Sequence, residues 1–142
     1  MILEKIVKEA SETLKNEKII SHDLDAELIL SHIMKTTRES LITNNKEYLS
    51  KETIKKYDKA IERRMKKEPI AYITGKKEFW SEDFIVNKAT LVPRPETELL
   101  VYKAVSFFKG KKISILDIGT GSGCILLSIL KELNLAKGIG ID

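Results

Sequence analysis

The chain has 142 residues, 42% hydrophobic and 32% charged, and its 25 Lys and Arg against 21 Asp and Glu leave a formal net charge of +4. That size suits roughly one domain of about 100–200 residues, and the balance is that of a globular protein rather than a disordered or fibrous one. A single cysteine, Cys124, excludes an internal disulfide framework, no apolar run nears the roughly 18 residues that cross a bilayer, and the N-terminus, with acids and bases interleaved from Glu4, lacks the apolar core of a signal peptide.

From Met1 to Gly75 the periodicity predicts helices. Ile2, Leu3, Ile6, Val7, Ala10 and Leu14 recur three and four apart and share one helix face. Ser21 stands before a second periodic stretch with Leu24, Leu28, Ile29 and Ile33 on one side, placed to cap it, while Asp23 and Asp25 suit the positive end of the helix dipole. Thr37 is placed to cap a short third helix through Leu41. Ser50 is placed to cap a fourth, with Ile54, Tyr57, Ile61 and Met65 directed at a core and Pro69 as its stop. The expectation is a bundle of four or five short helices. Much of the basic excess lies in Lys51 to Lys67, which reads as a solvated helix face or, more sharply, as a surface toward an acidic or RNA-rich partner.

From Lys76 to Pro95 the pattern changes. Glu78-Phe79-Trp80 and Phe84-Ile85-Val86 predict two short strands with Ser81-Glu82-Asp83 as the turn between them. A helix is expected from Glu96 to Lys109, apolar over much of its surface. Ile113 to Ile118 is nearly all apolar, as in a parallel strand covered on both faces. A glycine-rich turn, an apolar helix from Cys124 to Leu133 and a last strand from Gly138 to Asp142 complete one strand–helix–strand unit.

The chemistry lies in Asp117-Ile118-Gly119-Thr120-Gly121-Ser122-Gly123. Alternating glycines allow a tight turn and let a ligand approach the backbone closely. The turn opens a helix whose first N–H groups and dipole favour anionic or electron-rich groups. Asp142 ends the next strand, about 20 residues on, where an acid can accept hydrogen bonds from ribose hydroxyls. The unit therefore suits a nucleoside-containing cofactor. The nicotinamide fingerprint G-x-G-x-x-G/A fits poorly, since its last position falls on Cys124 or Leu126. No lysine follows the glycines, as a P-loop requires. The string does fit the acid-x-G-x-G-x-G pattern with which class I methyltransferases hold S-adenosylmethionine.

Two further strings resemble one branch of those enzymes: Glu68-Pro69-Ile70-Ala71-Tyr72-Ile73-Thr74-Gly75 with Glu78-Phe79-Trp80, and Leu91-Val92-Pro93-Arg94-Pro95-Glu96-Thr97-Glu98. The chain resembles the release-factor glutamine methyltransferases (HemK/PrmC), loosely up to Met65 and closely from Glu68 to Gly123. The resemblance implies an α/β protein in three parts: a helical substrate-docking domain at 1–75, a β-hairpin linker at 76–95, and the start of a Rossmann-like methyltransferase domain at 96–142. It implies S-adenosylmethionine on Asp117, Gly119, Thr120, Gly121, Ser122, Gly123 and Asp142. Arg94, Pro95, Glu96 and Thr97 would line the approach to the methyl group. The implied partners are class 1 peptide chain release factors in the cytoplasm, with nucleic acid involved only indirectly and no membrane. The reaction would methylate the side-chain amide nitrogen of the Gln in their Gly-Gly-Gln motif. That family aligns the amide with an Asn-Pro-Pro-Tyr motif, which this sequence does not contain. The expectation is a front part that stops short of the motif, holds no catalytic residue and is inactive alone. Two other readings stand beside it: an adenine-N6 methyltransferase of nucleic acid, and a non-catalytic helical binding module.

Other residues read more plainly. Cys124 opens an apolar helix with no histidine near it in sequence, which fits packing better than nucleophilic chemistry. His22 and His32, ten positions apart, do not have metal-ligand spacing. Trp80 could stack on a substrate, but reads first as a hairpin anchor in the domain interface. Arg94, rigidly framed by two prolines, reads equally as a functional group or half of a structural ion pair.

Overall fold

The computed structural model describes residues 2–142 and divides the chain into two compact units, Met1–Thr74 and Gly75–Asp142. The first is helical: α1 (Leu3–Asn16), α2 (His22–Met34), α3 (Arg38–Thr43), α4 (Lys51–Met65) and α5 (Ile70–Thr74). The second carries β1 (Lys76–Phe79), β2 (Glu82–Ile85), a 3-10 turn over Pro95–Thr97, α6 (Glu98–Phe108), β3 (Ser114–Ile118), α7 (Cys124–Glu132) and β4 (Lys137–Ile141). This is a mixed helical and α/β architecture whose sheets are two small pairs, β1 with β2 antiparallel and β3 with β4 parallel.

In the first unit Leu3, Ile6, Leu14, Ile29, Leu30, Leu41, Tyr57, Ile61 and Ile73 form the core. The apolar stripes that the sequence placed on α1 and α4 are therefore the buried faces. The first N–H groups of α1 have no side-chain cap. Leu3 and Glu4 instead donate to the carbonyls of Glu47 (2.9 Å) and Asn45 (3.0 Å), so the loop after α3 satisfies them. Thr37 and Ser50 cap α3 and α4 by accepting from the N–H groups of Ser40 and Thr53.

Ser21 behaves differently. Its hydroxyl donates to Asp25 Oδ2 at 2.9 Å instead of capping α2. Asp25 is buried, and Arg64 Nε of α4 reaches the same oxygen at 2.7 Å. The serine thus serves a buried charge pair that outranks the cap. On α2 Leu24 faces outward, while Ala26, Ile29 and Leu30 lie in the core. Helix α4 ends at Met65, four residues before Pro69, because Lys67 takes a left-handed φ of 64°.

In the second unit the hairpin turn is Trp80-Ser81, not Ser81-Glu82-Asp83. Phe79 pairs with Glu82 and Glu78 with Asp83, so two of the expected turn residues lie in β2. Helix α6 starts at Glu98 because Pro95–Thr97 forms the 3-10 turn instead. Phe79, Val101, Cys124, Ile129 and Leu133 form the core, with Trp80, Phe84 and Ile115 packed against it. Strands β3 and β4 are covered on one face only. Leu116, Ile118, Ile139 and Ile141 are 48–75% exposed on the other, so a strand whose composition suits two covered faces has one open here.

Candidate cofactor site

Strand β3 delivers Asp117 and then breaks at Gly119, whose φ of 75° lies in the left-handed region that glycine adopts freely. Gly119 N–H and Thr120 N–H both donate to the carbonyl of Ile141, at 2.8 and 3.0 Å. That staples the turn to the end of β4, directly before Asp142. Thr120 Oγ1 donates to Asp117 Oδ2 at 2.8 Å and holds the half-buried carboxylate. Gly123, at φ 77°, is the N-cap of α7 and has no side chain to satisfy the first helical N–H groups.

The turn leaves room on its outer side. A Cβ built on Gly119 or Gly121 meets no heavy atom within 4 Å. Ser122 Oγ is buried with no hydrogen-bond partner among the described residues. Open glycines, an unpartnered hydroxyl, an uncapped helix start and two carboxylates fit the polar amino-acid and ribose parts of S-adenosylmethionine. On the inner side there is no room. A Cβ on Gly138 of β4 would come 2.5 Å from Leu126 Cδ1, and one on Gly140 would come 2.8 Å from Thr120 Oγ1.

The structure thus brings Asp117, Gly119, Thr120, Gly121, Ser122 and Gly123 into one turn, with exposed Asp142 one residue past the carbonyl that anchors it. The string Arg94, Pro95, Glu96 and Thr97 lies on the entry to α6, where Thr97 N–H donates to Arg94 carbonyl at 3.0 Å. Among the described residues no hydrogen bond or ion pair joins that string to the glycine turn, and the Arg94 side chain is exposed. Cys124 is buried, as packing requires. His22 Nδ1 lies 2.9 Å from Ser11 Oγ. The Ser11 hydroxyl has one proton and gives it to Asp23, so His22 must offer Nδ1–H. No group of three or more metal-binding side chains and no helix long and apolar enough to cross a membrane occurs among the described residues.

Sequence reasoning missed the Ile141 carbonyl, since a backbone acceptor leaves no residue signal. It also missed Thr120 as the holder of Asp117, for which a hydroxyl three residues after an acid was an available sign. The pairing of Trp80 with Glu98 and Glu132 joins residues far apart in sequence and had none.

Fold and turn describe a helical unit followed along the chain by a mixed helix-and-strand unit with a glycine-rich strand-to-helix bend. Residues 5–75 match the family described as the PrmC N-terminal domain. A release factor glutamine methyltransferase of Buchnera aphidicola subsp. Schizaphis graminum is 48% identical over 118 residues, covering 83% of this chain and 43% of that protein. One of Aliivibrio fischeri is 39% identical over 140 residues, covering 99% of this chain and 49% of that protein. A bifunctional methyltransferase of Rickettsia conorii is 38% identical over 165 residues, covering 99% of this chain and 32% of that protein. The chain belongs to the release factor glutamine methyltransferase family and spans about half the length, or less, of these relatives.

Proposed function

We propose that these residues form the docking unit and the first cofactor-binding elements of an enzyme that methylates the Gly-Gly-Gln glutamine of class 1 peptide chain release factors. The observation that carries the reading is the glycine turn stapled to Ile141, which sets Asp117 and Asp142 at its two ends. S-adenosylmethionine, when bound, supplies a methyl group activated by a sulfonium. Gly119, Gly121 and Gly123 let the backbone approach its amino-acid part, and the open N-terminus of α7 offers N–H groups to the carboxylate. Asp117, held by Thr120, receives the ammonium. Asp142 would accept hydrogen bonds donated by the ribose hydroxyls. Arg94, Pro95, Glu96 and Thr97 border the path of the methyl group, and residues 1–75 dock the release factor.

An amide nitrogen is a poor nucleophile because its lone pair is delocalised into the carbonyl, so the acceptor must be held and aimed. No residue of this sequence is assigned that task, since it contains no Asn-Pro-Pro-Tyr string. With one face of β3 and β4 open, the chain alone binds the cofactor weakly and transfers no methyl.

Grafting residues 1–142 in place of the matching region of the Aliivibrio fischeri relative tests the reading. The chimera is expected to label a release factor from methyl-labelled S-adenosylmethionine and to leave a Gln→Ala substrate, DNA and RNA unlabelled. Equal labelling of the Gln→Ala protein, or labelling of nucleic acid instead, would sink it.

A further inference from the structure

The hairpin tip is built against its own local preferences. Trp80 and Ser81 have φ of 53° and 59°, the left-handed region that two-residue hairpin turns require and that Asn-Gly normally supplies. With a bulky aromatic and no glycine, the turn must be held from outside. Both donors of Trp80 are held by carboxylates of other elements. Its backbone N–H donates to Glu98 Oε1 at 2.8 Å and its indole Nε1–H to Glu132 Oε1 at 2.9 Å. Next to it Glu82 pairs with Lys131, and the indole packs on the core of the unit.

Glu98 is the first residue of α6 and directly follows Arg94–Thr97. Its carboxylate is spent on the hairpin, and Thr97 gives α6 no side-chain cap. The hairpin tip therefore sets the entry of α6. We infer that Trp80, acting through Glu98, is a positioning residue that fixes where Arg94–Thr97 lies. The consequence for methyl transfer rests on the reading of that string given above; the placement itself does not.

Amide hydrogen exchange on the whole chain, with emission from Trp80, its only tryptophan, tests the inference. Glu98→Ala removes the acceptor, and Glu98→Gln keeps an oxygen in the same place. The alanine variant is expected to speed exchange at Trp80 and Thr97 by about fivefold, the factor that loss of one ordinary hydrogen bond allows, with amides of β3 and α7 unchanged and the glutamine variant near the original. Glu132→Ala is expected to shift the indole emission to the red. Unchanged exchange at Thr97 in Glu98→Ala overturns the inference, as does equal acceleration across the whole unit in both Glu98 variants. Should the exchange pattern hold while the chimera carrying Glu98→Ala methylates release factor at the original rate, the positioning stands and the assignment of Arg94–Thr97 to the methyl path falls.

Discussion

Replacing Arg64 with Met leaves the Asp25 carboxylate buried with one neutral donor, and the size of the loss follows from the contacts. The side chains of Asp25 and Arg64 are 5% and 17% exposed, with Nε and Oδ2 2.7 Å apart. Ser21 donates to the same oxygen at 2.9 Å, and Arg64 Nη1 also reaches the Glu68 carbonyl at 3.0 Å. Removing one partner of a buried pair costs about 3–5 kcal/mol, and the partial exposure of Arg64 places this case at about 3 kcal/mol. A unit of this size has about 4–11 kcal/mol in all, so the loss is large. Replacing both residues, with Asp25→Leu beside Arg64→Met, removes the stranded charge and is expected to recover most of the loss. Urea unfolding is followed by far-ultraviolet circular dichroism, to which the five helices of the first unit contribute most, and by emission of Trp80, which lies in the second unit. Arg64→Met is expected to lower the dichroism midpoint, and Asp25→Leu with Arg64→Met to restore most of it. A loss under about 1 kcal/mol, or a double variant no more stable than the single one, would refute the claim that this pair braces α2 against α4.

Thr120→Val in the chimera is expected to weaken S-adenosylmethionine binding about tenfold, from a charge-assisted bond to Asp117 of about 1.5 kcal/mol, while Thr120→Ser stays within about twofold; calorimetry measures both. Asp23 titrates below its ordinary 3.8, chiefly because the Ser11 hydroxyl donates to it. The stability it contributes is therefore complete above about pH 4 and lost as pH falls through the lowered value. Ser11→Ala should move the Asp23 carboxyl back up toward 3.8 in a carbon-detected NMR titration. Burial pushes the Tyr57 phenol well above its usual value, and its hydroxyl donates to the Ala26 carbonyl at 2.9 Å, so Tyr57→Phe should cost about 1 kcal/mol in the same urea experiment.

What could be read from the sequence was set by local chemistry. Thr37 and Ser50 are caps because a hydroxyl before a periodic stretch finds its own helix first, and the stripes of α1 and α4 face the core because each helix has one apolar side. Ser21 looked the same and was not a cap, since a buried carboxylate one turn away is a stronger attraction, and sequence alone does not reveal that Asp25 is buried. The hairpin was legible and its turn was not. Ser-Glu-Asp carries ordinary turn residues, whereas Trp80 takes a left-handed φ in a turn whose two Trp80 donors are held by Glu98 and Glu132 from other elements. The glycine turn could be read from its spacing, yet its anchor on the Ile141 carbonyl could not. The family was already legible in the strings from Glu68 to Gly123.

The snug fit of Leu126 over Gly138 couples two positions on different elements. The isobutyl group of Leu126, with Leu130 Cδ1 beside it, fills the volume that a Cβ on the strand would need, so a larger residue at 138 requires Leu126 to turn aside or shrink. Gly138→Ala alone should strain the strand–helix seam, whereas Gly138→Ala together with Leu126→Ala should relieve it. Positions 126 and 138 thus draw on the same space, with Leu130 bordering it as well.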